Sequence, residues 1–577
     1  MAVRYRFDRF ELDMGRRALL YDGLPVDLQP KTLAVLALLL SRPDEAIGKD
    51  DFLEEVWSGR FVTENVLARC ILLLRQTLDD DATNPRYIRT VRGHGYQFVA
   101  PVETSSIPAI ELPRPRSIAI MGFRAVPPED RNQALELGLA ETLVNDLGLI
   151  ADLVVKPLSA TRDATAGAGT SDPVEVGRML GVDAVVEGNL QLDPRRIRVN
   201  VRAIRVADGS TLLSDRCEAP IDDLFTAQDL ICHRVMQSLS LRLGEDTTRP
   251  FATRRTRHVE AYRAYVDGRL LLADHSVSGT NEALACFDRA LRIDTGYVEA
   301  LVASAEAHEF LGTLGTSHAA HYERMRQLSE HAIQFDPGSA RAHCCLGKVA
   351  WQYDWNWVIA ESLLRKAVTL DGNDAEVLIA LSDFLAYQRS YAEALDVAER
   401  AGEVNPFSPW VHALIAQALY MAGHLDEALE QGRRAVALAP EFGFSQFFLG
   451  LSLLRLDRPE EGAAQIREAM ANSGRQDFIG MLGYALARAG DRAGATTILA
   501  QLDAAAAAGA PVPPIAWAAV HHGLGHHEQA MALFQQVFEE RSWHILLLHA
   551  EPAFQSLRTR PEAGALLRQL DLPSEMA

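Results

Sequence analysis

Residue patterning predicts three folded blocks of different class along the 577 residues: an α+β block, a small α/β block with a mixed sheet, and an all-α solenoid of helix pairs. Three observations predict this division. Pro101, Pro108, Pro113 and Pro115 crowd one short stretch, where proline disfavours helix and marks a linker at 102–115. A second break at 244–257 is polar and carries Pro250, and the sequence beyond it turns Ala/Leu-rich. Small residues then recur at a fixed interval, the signature of stacked repeats.

Composition narrows the class. Apolar residues make up 48% and charged residues 23%, an ordinary globular balance. The 57 Lys+Arg against 77 Asp+Glu give −20, which argues against a nonspecific polyanion binder but leaves room for a small DNA-reading domain. Six cysteines without a C-x-x-C are too sparse for a disulfide framework, so a reduced, cytoplasmic location is expected. The longest clean apolar run, Leu33 to Leu40, falls far short of the roughly 20 residues that cross a bilayer. The amino terminus has no apolar core of a signal peptide.

In block one, Tyr5 to Asp13 alternates apolar and polar residues as a half-buried strand, and Asp22-Gly23 signals a hairpin turn. Pro30 opens a helix through Leu40, and Lys49 to Trp57 supplies a second. Thr63 is a good N-cap for a third helix reaching Leu78, with Leu67, Ile71, Leu74 and Leu78 as its buried stripe. The opposite face carries Asn65, Ala68, Arg69, Leu72 and Gln76, with Arg75 on the flank. Tyr87 to Val99 then reads as two short strands around a Gly-x-Gly tip, with Tyr96 and Phe98 in its core.

A strand, three helices and a closing hairpin make a winged helix-turn-helix. Over 1–101 the residues closely resemble the OmpR/PhoB-type DNA-binding domain: the string Arg-Thr-Val-Arg-Gly-x-Gly-Tyr-x-Phe is intact as Arg89 to Phe98, and the Lys49–Trp57 helix and Leu74-Arg75 also match. The placement at the amino terminus resembles HilA-like regulators. The resemblance implies that the third helix enters the major groove of double-stranded DNA, with Asn65 and Arg69 as base readers. It implies Arg75 and Trp57 near the backbone, Thr90 on a phosphate and Arg92 at the minor groove, with Arg89 in the same wing. It also implies that the loop Ser58, Gly59, Arg60, Phe61, Val62 faces RNA polymerase. Leu72 and Leu73 depart from the polar residues frequent there; Leu72 suits thymine methyls or a second protomer. Residues 1–103 hold 14 basic and 16 acidic residues, net −2, yet Ala82 to Val102 contains Arg86, Arg89 and Arg92 and no acid. A local basic patch of this kind can neutralise phosphates.

Block two, 116–243, reads as strands at 117–121, 153–155, 183–188, 196–206 and 212–215, with helices at 134–149 and 174–180, hence a mixed sheet. It resembles the TolB-like α/β domain through Ser117-Ile118-Ala119-Ile120, Gly181 to Gly188 and Phe225 to Asp229. That resemblance leaves two uses open, a structural connector or a site for a small-molecule effector.

Block three, 258–541, is periodic. Ala332, Ala367, Ala401, Ala435 and Ala469 stand 35, 34, 34 and 34 apart, and Gly347, Ser382, Ala416 and Gly450 keep step. Turns at Asp336-Pro337, Asp371-Gly372, Asn405-Pro406 and Ala439-Pro440 follow suit. The pattern resembles the tetratricopeptide repeat, with seven or eight units, an insertion near 312–322 and capping helices over 542–577. Trp351, Trp355, Trp357 and Phe442, Phe444, Phe447 and Phe448 fill inter-repeat core or line the concave surface.

No catalytic constellation is present. Phosphate-loop, nucleophile-elbow and His-Glu-x-x-His strings are absent, and Gly167-Ala168-Gly169-Thr170 reads as a loop. His521-His522 and His526-His527 fall on a repeat turn without a clear ligand set, and His343-Cys344-Cys345 reads as core. The expected protein is therefore a non-enzymatic transcriptional regulator with neither cofactor nor metal. Protomers are expected to pair on DNA, with a protein partner on the repeats. The alternative is a repeat scaffold whose winged helix no longer reads DNA.

Overall fold

The computed structural model describes residues 2–572, except for 15–17, 23, 27, 29, 58–63, 92, 108–114, 127–132, 149–152, 169, 194–195, 221–234, 236–255, 257, 273–275, 315–317, 474–475 and 511. The turn residue Gly23, the cap Thr63, the 225–229 motif and Pro250 lie outside the described residues. The chain divides into two compact units, 1–114 and 115–577.

In the first unit, β1 (Ala2–Phe7), β2 (Phe10–Asp13), β3 (Ala18–Tyr21) and β4 (Leu24–Val26) form an antiparallel meander. The single strand expected over 5–13 is thus a hairpin. Asp8 turns the chain at φ 54°, and the apolar alternation runs on through the turn, which hides it from the sequence. The start of the expected linker is also corrected: Glu103–Ile107 forms β8, paired antiparallel with β1. No proline lies within those five residues, so their N–H groups are free to join the sheet.

Three helices follow the meander. α1 (Pro30–Ser41) buries Leu33, Val35, Leu36, Leu39 and Leu40. Then come β5 (Ala46–Gly48), α2 (Lys49–Trp57) and α3 (Glu64–Leu78), and β6 (Ile88–Val91) and β7 (Gly95–Phe98) close a second sheet in the order β5-β7-β6. The sheets and helices share one core, in which Phe7 meets Phe98 at 5.1 Å and Tyr87 at 5.6 Å between ring centres.

The second unit opens with the α/β block. β9 (Ser117–Ile120), β10 (Arg124–Ala125), α4 (Gln133–Leu147), β11 (Val154–Val155), α5 (Leu158–Ala168) and α6 (Pro173–Leu180) lead into the long strands β12 (Ala184–Asp193), β13 (Arg196–Arg205) and β14 (Thr211–Pro220). The order β11-β9-β12-β13-β14 is parallel on one side and antiparallel on the other, the mixed sheet that was expected. Helix α5 went unread because Leu158 to Ala168 is small and polar without a strong apolar stripe. It absorbs Gly167 and Ala168, read above as loop.

Among the described residues eight helix pairs follow, from Val259–Leu272 with Val277–Ile293 to Pro514–Gly523 with His527–Glu539. The periodic alanines at 332, 367, 401, 435 and 469 are all fully buried. The second periodic position is small because helices meet there: a Cβ on Gly347 would lie 2.7 Å from Leu364, and one on Gly450 would lie 2.7 Å from Ile466. Ser382 uses its small size to donate to the Ala394 carbonyl at 2.8 Å. The insertion expected near 312–322 is not a separate segment among the described residues. Its extra length goes into longer helices, 16 and 18 residues in repeat two against 13 and 14 in repeat three.

The α/β block and the repeats pack as one body. Lys156 donates to the Glu403 carbonyl, and Phe407 packs on the cluster of Met121, Val176 and Val206. A chain of charges crosses the first helices of successive repeats: Arg269 reaches Glu141 of α4 at 3.7 Å and Glu306 at 3.2 Å, and Arg341 joins Glu306 at 3.2 Å to Asp374 at 2.5 Å. Beyond repeat eight, the short helices Ile545–Ala550, Gln555–Arg558 and Pro561–Leu567 turn back across the array. Trp357 donates to the Leu570 carbonyl at 3.0 Å, Arg389 to the His549 carbonyl at 2.6 Å, and Tyr420 to Glu551. The tryptophans fill core: Trp351, Trp355 and Trp357 are buried, and Trp355 stacks on Phe538 at 5.3 Å.

Candidate nucleic-acid interface

Helix α3 is amphipathic as its spacing requires. Leu67, Ile71, Leu74 and Leu78 are buried, and Cys70, which the sequence reading passed over, joins them. Ala68, Arg69, Leu72 and Gln76 lie exposed on the other side. Leu72 shows 56% of its surface and Val66 40%, large values for apolar side chains on one helix. Among the described residues Arg69 has no ion pair or hydrogen-bond partner, which leaves its guanidinium available to an anion.

The wing is built by two glycines and one aspartate. Gly93 turns the tip at φ +76°, a conformation that side chains resist. Gly95 is required for another reason: a Cβ there would stand 2.0 Å from the Ile47 carbonyl oxygen, so β5 and β7 could not pair. The root of the wing is held by Asp80. Its carboxylate accepts from the backbone N–H groups of Arg86 at 2.6 Å, Tyr87 at 3.0 Å and Ile88 at 2.8 Å. Sequence reasoning missed Asp80. Its only signal was an aspartate run just past a helix end, which also fits a solvated turn.

Arg75 couples the helix to the wing. Its Nη2 donates to the Ile88 carbonyl and to Thr90 Oγ1, both at 2.9 Å. The guanidinium therefore fixes β6 at a set position beside α3. Arg86 is paired with Asp8 at the surface and lies 5.3 Å from the Tyr87 ring centre. Tyr87 itself donates to Asp8 at 2.8 Å; burial, reinforced by that carboxylate, pushes its phenol up to about 12. Arg89 and Thr90 are exposed on β6, and Arg89 has no partner among the described residues. Trp57 ends α2 and Asn65 lies in the first turn of α3. Arg92 and the loop Ser58, Gly59, Arg60, Phe61, Val62 lie outside the described residues. The geometry thus brings Arg69, Leu72, Arg75, Arg89 and Thr90 onto one helix and the strand it anchors.

The profile of the family described as "Transcriptional regulatory protein, C terminal" matches residues 23–98, the span that contains α1 to β7. This chain is a winged-helix, DNA-binding transcriptional regulator of the OmpR/PhoB type. The regulator is 25% identical over 441 residues to the transcriptional regulator HilA of Salmonella typhimurium, covering 76% of this chain and 71% of that one. It is 27% identical over 251 residues to putative adenylate cyclase 3 of Rhizobium meliloti, covering 43% of this chain and 42% of that one. Among solved structures, the DNA-binding domain of Escherichia coli CadC is 27% identical and covers 17% of this chain and 94% of that one, with a TM-score of 0.16.

The other groups singled out in the sequence sit as follows. Cys344 and Cys345 are buried in repeat three, and burial pushes the Cys344 thiol up to about 12. His521 faces His526 and His522 faces His527, each pair at 3.3 Å between Nδ1 atoms. Among the described residues no three His, Cys, Asp or Glu side chains are grouped to hold a metal ion. Among the same residues no helix is long and apolar enough to cross a membrane.

Proposed function

We propose that α3 lies in the major groove with Asn65 and Arg69 on base edges and Leu72 against thymine methyls or a second protomer. Arg89 and Thr90 meet phosphates beside it, Arg92 reaches the minor groove, and Trp57 and Arg75 lie near the backbone, Arg75 also setting the wing. The loop 58–62 faces RNA polymerase. Protomers pair on half-sites one helical turn apart. By role the chain divides into a DNA-reading block (1–101), an α/β block (116–243) and repeats (258–541) closed by 542–577. The latter blocks act in the cytoplasm by binding a partner or signal, without catalysis.

The observation that carries this reading is the exposed Arg69 on a helix whose wing carries the exposed Arg89, both without a partner among the described residues. Charges left without internal partners suit a polyanion. Gel-shift titration against genomic fragments recovered with the protein tests it. Arg69→Ala weakens binding unevenly among fragments, and Arg89→Ala weakens it evenly. Binding that ignores both substitutions contradicts the assigned contacts. The exposed Val66 and Leu72 favour a second reading, a protein-docking helix. Affinity that falls steeply with salt selects DNA, because phosphate contacts release counterions and apolar docking does not.

A further inference from the structure

The first helices of repeats four to eight and the returning C-terminal segment enclose a cavity of about 100 Å³. Its walls are aromatic. Phe447 and Phe478 stack at 3.9 Å, Phe444 meets Phe478 edge-on at 5.5 Å, and Tyr387 and Tyr420 line the side toward repeats four and five. Trp543, Leu547 and Phe554 of the returning segment form the roof. The polar side chains on the lining are few, among them Glu551 and Gln417. Glu551 accepts from the Tyr420 hydroxyl and from the Ala553 N–H at 3.0 Å, so its carboxylate is fixed at the cavity edge.

Other helix contacts of the array are tight. At Gly347 and Gly450 the helices approach until one methyl group would collide. A void lined by side chains lacks the dispersion contacts of a filled core, and an apolar cavity of about 150 Å³ takes up benzene. The volume here is that of a single ring, and the walls offer the stacked and edge-on partners that a ring prefers. The carboxylate at the edge selects a ring that carries a hydrogen-bond donor.

We infer that this cavity is a binding site for a small single-ring aromatic molecule bearing one hydroxyl or N–H donor, held between the repeats and the C-terminal segment. Donation to Glu551 and ring packing against Phe447, Phe478 and Trp543 supply the recognition. Because the roof belongs to the C-terminal segment, occupancy tightens that segment on repeats four to eight. The site is independent of the DNA contacts proposed above.

The test uses the full chain with phenol as probe and toluene as the same ring without a donor. Phenol raises the melting temperature saturably and titrates calorimetrically to one site per chain, as a ligand of the native state must. Toluene binds about tenfold more weakly, the value of one hydrogen bond to a charged group. Ala519→Phe, which fills the cavity from repeat eight, abolishes both. Glu551→Gln lowers phenol affinity several-fold and leaves toluene unchanged. Absence of saturable binding to the unsubstituted chain overturns the site, as does binding that persists in folded Ala519→Phe. Equal affinities for the two rings overturn the role of Glu551. If Ala519→Phe does not fold, the comparison of the two rings on the unsubstituted chain and on Glu551→Gln still decides.

Discussion

The winged helix and the repeat array treat charge in opposite ways. On α3 and β6, Arg69 and Arg89 are exposed with no partner among the described residues. Along the first helices of the repeats, Arg269, Glu306, Arg341 and Asp374 are joined end to end within 3.2 Å. Buried or half-buried charges are stable only when paired, whereas exposed ones cost little until an opposite charge arrives. The contrast separates exposed cations, which suit the phosphate contacts proposed above, from half-buried ion pairs that link successive repeats. On a chain of net charge −20, an exposed cationic patch of this kind is a local feature that the overall balance does not reveal.

The sharpest way to break the comparison is Gly95→Val. A side chain 2.0 Å from the Ile47 carbonyl forces β5 and β7 apart, and about 3 kcal/mol or more is lost from the first unit. Calorimetry then shows the first unit melting early while the repeats melt as before, and DNA binding disappears. Arg341→Ala attacks the other side. It takes from Asp374 its ion-pair partner, while Glu306 keeps Arg269, at a cost of about 2 kcal/mol, less than for a fully buried pair because Arg341 keeps 33% of its side-chain surface. Denaturant melts of the full chain read the loss, and DNA affinity stays constant. Arg69→Ala does the reverse: stability is unchanged within about 0.5 kcal/mol, while specific binding weakens by about 1–3 kcal/mol in gel shifts.

The smallest effect concerns pH. Burial raises the Asp383 carboxyl from 3.8 to about 7, with Glu309 adding to the shift and Lys348 opposing it. A raised acid stabilises the fold in its protonated form, so this contribution is complete below pH 3.8 and is lost as pH rises through about 7. Asp383→Asn therefore flattens the fall in melting temperature across that window. His549 runs the other way. Burial, together with Arg389 and Arg558, lowers its imidazole from 6.5 to about 4, so its contribution is present above pH 6.5 and is lost as pH falls through about 4. Hydrogen-exchange protection factors of residues 545–570 are expected to fall over that acid range and to stay constant above it.

What the sequence revealed follows from range. The α3 stripe at Leu67, Ile71, Leu74 and Leu78, the wing string and the 34-residue spacing are local patterns, and each was legible. The exposed face of the candidate site was legible with them, since burying one side of a helix exposes the other. The hairpin at Asp8 stayed hidden because neither glycine nor proline marks it. Asp80 and Arg75 could be placed on their elements, but their partners on β6 could not, because those bonds join segments up to 15 residues apart through side chains. The return of the C-terminal segment was least legible. The bond from Trp357 to Leu570 spans 213 residues, and no periodicity encodes it.

That bond changes the mechanics of the array. A solenoid open at both ends stretches and bends like a spring, each unit yielding to its neighbours alone. Here the tail is fastened to repeats three, four and five, so strain applied at one end is shared around a loop. The array behaves as a braced arch, and trimming the final thirty or so residues is equivalent to removing its tie-rod.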